Sequence, residues 1–148
     1  MSEYKVVNPA TNETEREFAT ATDAEVEQVL ERSARAFQSW RTSAKDERAK
    51  VLLRVAELYK ERIDDLAALI TREMGKPTPE AKGEIQLVAS IYRYYAQQGP
   101  ALLADTPLNP RAGGQAVIRK EPIGPLLGIM PWNYPYYQVA RFAAPNLM

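Results

Sequence analysis

Val26, Val29, Leu30, Ser33, Ala34, Phe37 and Trp40 recur at intervals of three and four, and the run begins just after Thr22-Asp23-Ala24-Glu25. The spacing predicts an amphipathic helix, and the Thr-x-x-Glu start is a capping box, in which side chain and backbone satisfy each other's free donors. Ser43 to Asp46 opens a second helical run with Val51, Leu52, Val55, Leu58 and Tyr59 on its stripe. Ile63, Leu66, Ala67, Ile70 and Met74 continue it after a bend near Asp64, and Gly75 followed by Pro77 stops it. A third helix is predicted from Thr78 as cap and Pro79 as first residue, along Ile85, Val88, Ile91, Tyr92 and Tyr95, to Gly99-Pro100. Residues 4–7 and 14–20 are short strand candidates on either side of a turn at Asn8-Pro9-Ala10-Thr11-Asn12. Residues 101–114 read as a loop and 115–121 as a strand.

The pattern changes at residues 124–135. Leu126 to Met130 is an apolar run interrupted only by Gly128, which predicts a short strand covered on both faces. Pro131 and Pro135 bracket Trp132, Asn133 and Tyr134; each ring fixes its own φ and biases the preceding residue away from helix. From Tyr136 onward Val139, Ala140 and Ala143 restore a helical spacing. A stiff turn between a buried strand and a helix is where open α/β sheets hold ligands, and here it presents one neutral amide, Asn133. A doubly covered strand needs partner strands that the remaining residues are too few to supply, and the last helix runs to Leu147-Met148 without a Gly cap. The expectation is the front portion of a larger α/β protein.

Composition narrows the chemistry. Among 148 residues, Lys plus Arg and Asp plus Glu are 19 each, so no broad basic field exists for nucleic acid or an acidic membrane surface. The absence of Cys removes disulfides, thiolate metal sites and a thiol nucleophile. The absence of His removes the usual general base and the commonest metal ligand, so no metal site is expected. No apolar signal region opens the sequence and no run reaches the length of a membrane span, which makes a cytoplasmic location the default expectation.

Three separated motifs carry a resemblance. Val7-Asn8-Pro9-Ala10-Thr11, then Glu73-Met74-Gly75-Lys76-Pro77 with Ala81-Lys82-Gly83-Glu84, then Glu121-Pro122-Ile123-Gly124 followed by Pro131-Trp132-Asn133-Tyr134-Pro135 occur in order. Together they resemble the aldehyde dehydrogenase superfamily along essentially the whole chain. The resemblance implies an α/β fold: a helical layer feeding the first strand of a Rossmann-like cofactor-binding sheet. Residues 1–148 would form the N-terminal part of an NAD(P)-binding domain, residues 105–121 an oligomerisation strand region, and the catalytic domain would be absent. It implies oxidation of an aldehyde with NAD or NADP after attack by a Cys thiolate, with a Glu-assisted hydrolysis. Asn133 matches the Asn whose amide donates to the tetrahedral oxyanion, a task suited to a donor that does not titrate. Ile129, Met130, Pro131, Trp132 and Asn133 would lie along the cofactor. Arg141 matches an Arg that holds the substrate carboxylate in the succinate-semialdehyde branch, where a planar fork can pair both oxygens. A homo-oligomer, dimer or tetramer, would act on a small-molecule aldehyde, with no nucleic acid or membrane partner. The nucleophile and base would lie beyond position 148, so this chain alone is expected to be inactive.

Blander readings stand beside these. Asn133 suits a plain turn, Arg141 a surface ion pair, Trp132 a core position, and the Tyr clusters ordinary packing. Glu73 and Glu84, separated by a Gly-Pro break, read as solvated or structural rather than as a catalytic pair. Gly124 and Gly128 do not make a dinucleotide fingerprint. The alternative function is a non-catalytic helical binding or assembly module, and the choice between NAD and NADP stays open.

Overall fold

The computed structural model describes residues 4–111 and 113–148. Two strands open the chain: β1 (Tyr4–Val7) and β2 (Thr14–Phe18) pair antiparallel, Tyr4 opposite Phe18, with an irregularity between Val6 and Val7. The connecting turn is held by Asn8, whose side chain accepts from the Ala10 N–H, and by Asn12 at φ 60. The hairpin is tied to the helices by an ion pair between Glu15 and Arg72 at 2.9 Å.

Four helices follow: α1 (Asp23–Trp40), α2 (Lys45–Glu61), α3 (Ile63–Met74) and α4 (Thr78–Leu102). The predicted capping box of α1 is present, with Thr22 Oγ1 accepting from the Glu25 N–H and Glu25 accepting from the Thr22 N–H. The break between α2 and α3 falls at Arg62, two residues before the expected bend. Gly75 closes α3 in the left-handed conformation, φ 75, where a Cβ would also meet Pro9 Cγ at 3.1 Å. Helix α4 begins at Thr78, with Pro77 as the capping residue, and runs past the predicted end at Gly99-Pro100. Pro100 removes only its own N–H, and Leu103 N–H to Gly99 O carries the last turn.

Helix α4 is the centre of the fold; α2, α3 and α5 (Pro135–Leu147) all pack on it. Leu52 and Ala56 of α2, Val88, Ala89, Tyr92 and Ala96 of α4, and Ala140, Ala144 and Met148 form one core cluster. Ala67 and Ile70 of α3 meet Ala81 and Ile85 of α4 in a second. Alanines let the helix backbones approach closely, so much of the core is made of short side chains in near contact. Helix α1 has the predicted apolar stripe but buries no residue, and Val26, Val29 and Leu30 are exposed. Its tether is the Trp40 indole N–H, which donates to Leu147 O at 2.9 Å.

Two sequence expectations change. The segment read as loop before residue 115 contains β3 (Thr106–Leu108), which pairs antiparallel with β4 (Ala116–Ile118). Pro107 hides the strand from a sequence reading, and its missing donor is tolerated because it lies on an edge. Ala112, between the two strands, is outside the described residues. The run 126–130, expected as a buried strand, has no ladder, and Leu127 and Ile129 are each 87% exposed. The physical reason is that a strand exists only with a neighbour to exchange hydrogen bonds, and no strand lies beside it among the described residues. No described helix is long and apolar enough to cross a membrane.

Candidate functional site

The site is organised by the first turn of α5. Pro135 opens the helix with its preset φ, leaving the N–H groups of Tyr136 and Tyr137 without carbonyl partners in their own helix. Glu84, from the buried face of α4, supplies the partner: its Oε1 accepts from both N–H groups at 3.0 Å. Its Oε2 accepts from Lys76 Nζ, and the side chains of Lys76 and Glu84 are 8% and 0% exposed. A carboxylate at a helix N-terminus is favoured by the partial positive charge there, and the lysine neutralises it in a place where lone charge is costly.

The ammonium of Lys76 also stands 3.6 Å from the centroid of the Tyr134 ring. Tyr134 meets Tyr137 edge to face at 6.1 Å, and the Arg141 guanidinium lies 5.5 Å from the Tyr137 ring. On the inner side Tyr136 packs edge to face on Tyr59, which stacks on Tyr92. Burial pushes the phenol of Tyr92 up to about 12 and raises those of Tyr59 and Tyr136 in the same direction, with the charge of Glu84 adding to the effect at Tyr59.

Asn133 and Trp132 project from the outer side of this arrangement. Asn133 is exposed, Trp132 is 75% exposed, and the Trp132 core alternative therefore does not hold in this chain. Met130 is half-buried while Ile129 and Pro131 are exposed. Arg141, the seventh residue of α5, is exposed as well, about 9 Å along the helix axis from Pro135 at 1.5 Å per residue. The structure thus brings Tyr134, Tyr137 and Arg141 into ring contact and puts Asn133 next to Tyr134 in the chain.

Glu84 is the residue whose part in the site the sequence reading did not reach. The signal was present: Ala81, Glu84, Ile85, Val88 and Tyr92 lie on one helical stripe, so the position was on the core-facing side. A charge there requires a partner, and Lys76 is that partner. A cleft of about 760 Å³ lies elsewhere, between Trp40, Arg48, Ile123, Leu126 and Phe142, and none of residues 129–133 or Arg141 lines it.

The sequence profile of the aldehyde dehydrogenase family matches residues 1–148. The chain belongs to the aldehyde dehydrogenase family. It is 49% identical over 145 residues to succinate-semialdehyde dehydrogenase [NADP(+)] of Deinococcus radiodurans, covering 98% of this chain and 30% of that protein. It is 42% identical over 144 residues to succinate-semialdehyde dehydrogenase [NADP(+)] 1 of Mycobacterium tuberculosis, covering 96% of this chain and 32% of that protein. Among solved structures, succinic semialdehyde dehydrogenase from Streptococcus pyogenes in complex with NADP+ superposes with a TM-score of 0.92 at 39% identity, over 97% of this chain and 31% of that one. The chain therefore has the fold of the N-terminal part of this family, and it spans about a third of the length of the relatives it matches.

Proposed function

We propose that this chain supplies the oxyanion donor and the substrate-carboxylate cation of an enzyme that oxidises succinate semialdehyde with NADP+. The observation that carries this reading is the chain-long likeness to NADP+-dependent succinate-semialdehyde dehydrogenases. Asn133 donates its side-chain N–H to the oxygen of the aldehyde as negative charge develops on it. A neutral amide does this across the whole pH range, and one such donor typically lowers the barrier by about 3–4 kcal/mol. Arg141 pairs with the distal carboxylate and so sets which end of the substrate faces Asn133. With no Cys in the chain, none of its side chains supplies a thiolate to attack the carbonyl.

Residues 129–133 fit one part of a dinucleotide. Ile129 and Trp132 offer exposed apolar surface at the turn. The stretch holds no cation and no glycine-rich helix start, so it suits the uncharged end of the cofactor rather than its phosphates. The chemistry that bound NADP+ supplies is acceptance of a hydride. Residues 1–148 act as the N-terminal part of the cofactor-binding domain of a cytoplasmic enzyme. The exposed hairpin β3–β4, with Leu108, Val117 and Ile118 outward, pairs with a second subunit of a homo-oligomer.

A chimera tests this: residues 1–148 of this chain joined to the remaining part of the Deinococcus radiodurans relative. Oxidation of succinate semialdehyde by the chimera is expected, and Asn133→Ala should lower its kcat by about 10²–10³ with little change in KM. An active chimera in which Asn133→Ala leaves kcat unchanged would remove Asn133 from the reaction.

A further inference from the structure

We propose that Lys76 and Glu84 are positioning residues, which set the direction in which the turn 132–134 presents Asn133 and, through Tyr134 and Tyr137, the guanidinium of Arg141. The catalytic part of this inference rests on the function proposed above; the geometric part does not.

Glu84 joins three pieces of chain that are distant in sequence. Its side chain starts on α4, takes the first two free N–H groups of α5 on Oε1, and takes Lys76, from the α3–α4 junction, on Oε2. No atom of the Glu84 side chain is left exposed. A buried ion pair is often no more stabilising than an apolar pair of the same size, so its value here is in specifying orientation. An apolar residue at position 84 would fill the space and leave the two N–H groups without a partner. A neutral acceptor would satisfy them and lose the hold on Lys76.

Lys76 extends the same constraint outward. Its ammonium touches Glu84 on one side and the face of Tyr134 on the other, which is the residue next to Asn133. A cation over a ring face is held by the ring's quadrupole, so the Tyr134 ring has a preferred place relative to the buried charge. Tyr137 lies edge to face against Tyr134 and under Arg141. The backbone of Tyr137 is also one of the two groups that Glu84 holds. The candidate oxyanion donor and the candidate carboxylate ligand thus share one buried anchor.

The test uses the full chain, isotopically labelled, and reads nuclear magnetic resonance signals of the Asn133 side-chain amide, the Trp132 indole and the Tyr136 and Tyr137 backbone amides. In Glu84→Gln the two backbone amide protons should move upfield as a charged acceptor becomes neutral, and the Asn133 and Trp132 signals should shift with them. Tyr134→Leu removes the ring from Lys76 and leaves the buried pair; Tyr134 is 48% exposed, so this variant keeps the fold if Glu84→Gln does not. Loss of a neighbouring ring current shifts these signals by itself, so the readout is order: the heteronuclear NOE of the Asn133 side-chain amide and the Trp132 indole should fall while the far-ultraviolet circular dichroism and Tm stay close to those of the parent. An unchanged heteronuclear NOE at Asn133 and Trp132 in Tyr134→Leu would overturn the inference and leave the pair a structural support only. The two readings fail separately. Asn133→Ala without effect in the active chimera removes the oxyanion role, whereas the heteronuclear NOE reports the anchoring whether or not Asn133 is catalytic.

Discussion

Gly128 lies directly against the ring of Phe142. A Cβ at position 128 would sit 2.8 Å from Phe142 Cε1 and 2.5 Å from the end of the Met130 side chain. This contact fastens the extended segment before the Pro131-Trp132-Asn133 turn to the side of α5. Met130 can swing aside, but an aromatic ring on a helix has less freedom. Gly128→Ala is therefore expected to destabilise the chain by about 1–3 kcal/mol, the usual range for an overpacked contact, nearer the low end because both neighbours are only half-buried. Denaturant unfolding checks the magnitude, and a stability equal to the parent's would mean that the segment is not fastened there.

Alkaline pH should weaken the core through its phenols. Tyr92 is pushed up to about 12, and Tyr59 and Tyr136 are raised too, all chiefly by burial. A folded value above that of the unfolded chain, about 10, means that the unfolded chain loses its protons first as pH rises. The contribution is fully present below pH about 10 and is lost as pH climbs toward 12. Tm measured between these limits should fall, and Tyr92→Phe should flatten the fall.

Acid pH should act on the start of α1. The backbone and hydroxyl of Thr22 hold the Glu25 carboxyl below its usual value. A depressed value contributes above the unfolded pKa, about 4.3, and the contribution is lost as pH drops through the folded one. Because α1 buries no residue, its start has little else to hold it. Amide protection factors at Glu25 and Val26, taken relative to the intrinsic exchange rate at each pH, should fall in acid, and Glu25→Ala should show the lower protection already at neutral pH.

Arg141 offers a test of substrate choice. Loss of a charged hydrogen-bonding partner is worth roughly 1.5–3 kcal/mol, or about 10- to 150-fold in affinity. In the chimera, Arg141→Leu should raise KM for succinate semialdehyde by that factor and leave KM for an uncharged aldehyde such as propanal nearly unchanged. An equal effect on both aldehydes would mean that Arg141 supports Tyr137 and does not bind the carboxylate.

Local signals fixed by sequence alone account for much of the molecule. The Thr22–Glu25 box, the Gly75 stop, the two opening strands and the run of helices depend on residues within a few positions of one another; the box and the stop are found where the pattern puts them, and the strands and helices are present with some ends shifted by two or three residues. The three separated motifs also point to the family that the chain-long match establishes. What tertiary structure decided is long-range. Glu84 and the first turn of α5 are about 50 residues apart, 52 to Tyr136 and 53 to Tyr137, so no window of sequence contains the contact. Residues 126–130 show the converse: their apolar run specifies a strand, yet a strand's hydrogen bonds are made with another strand. Periodicity and capping can be read from the chain because their partners are neighbours, whereas ladders and buried charge pairs depend on partners that only the fold brings close.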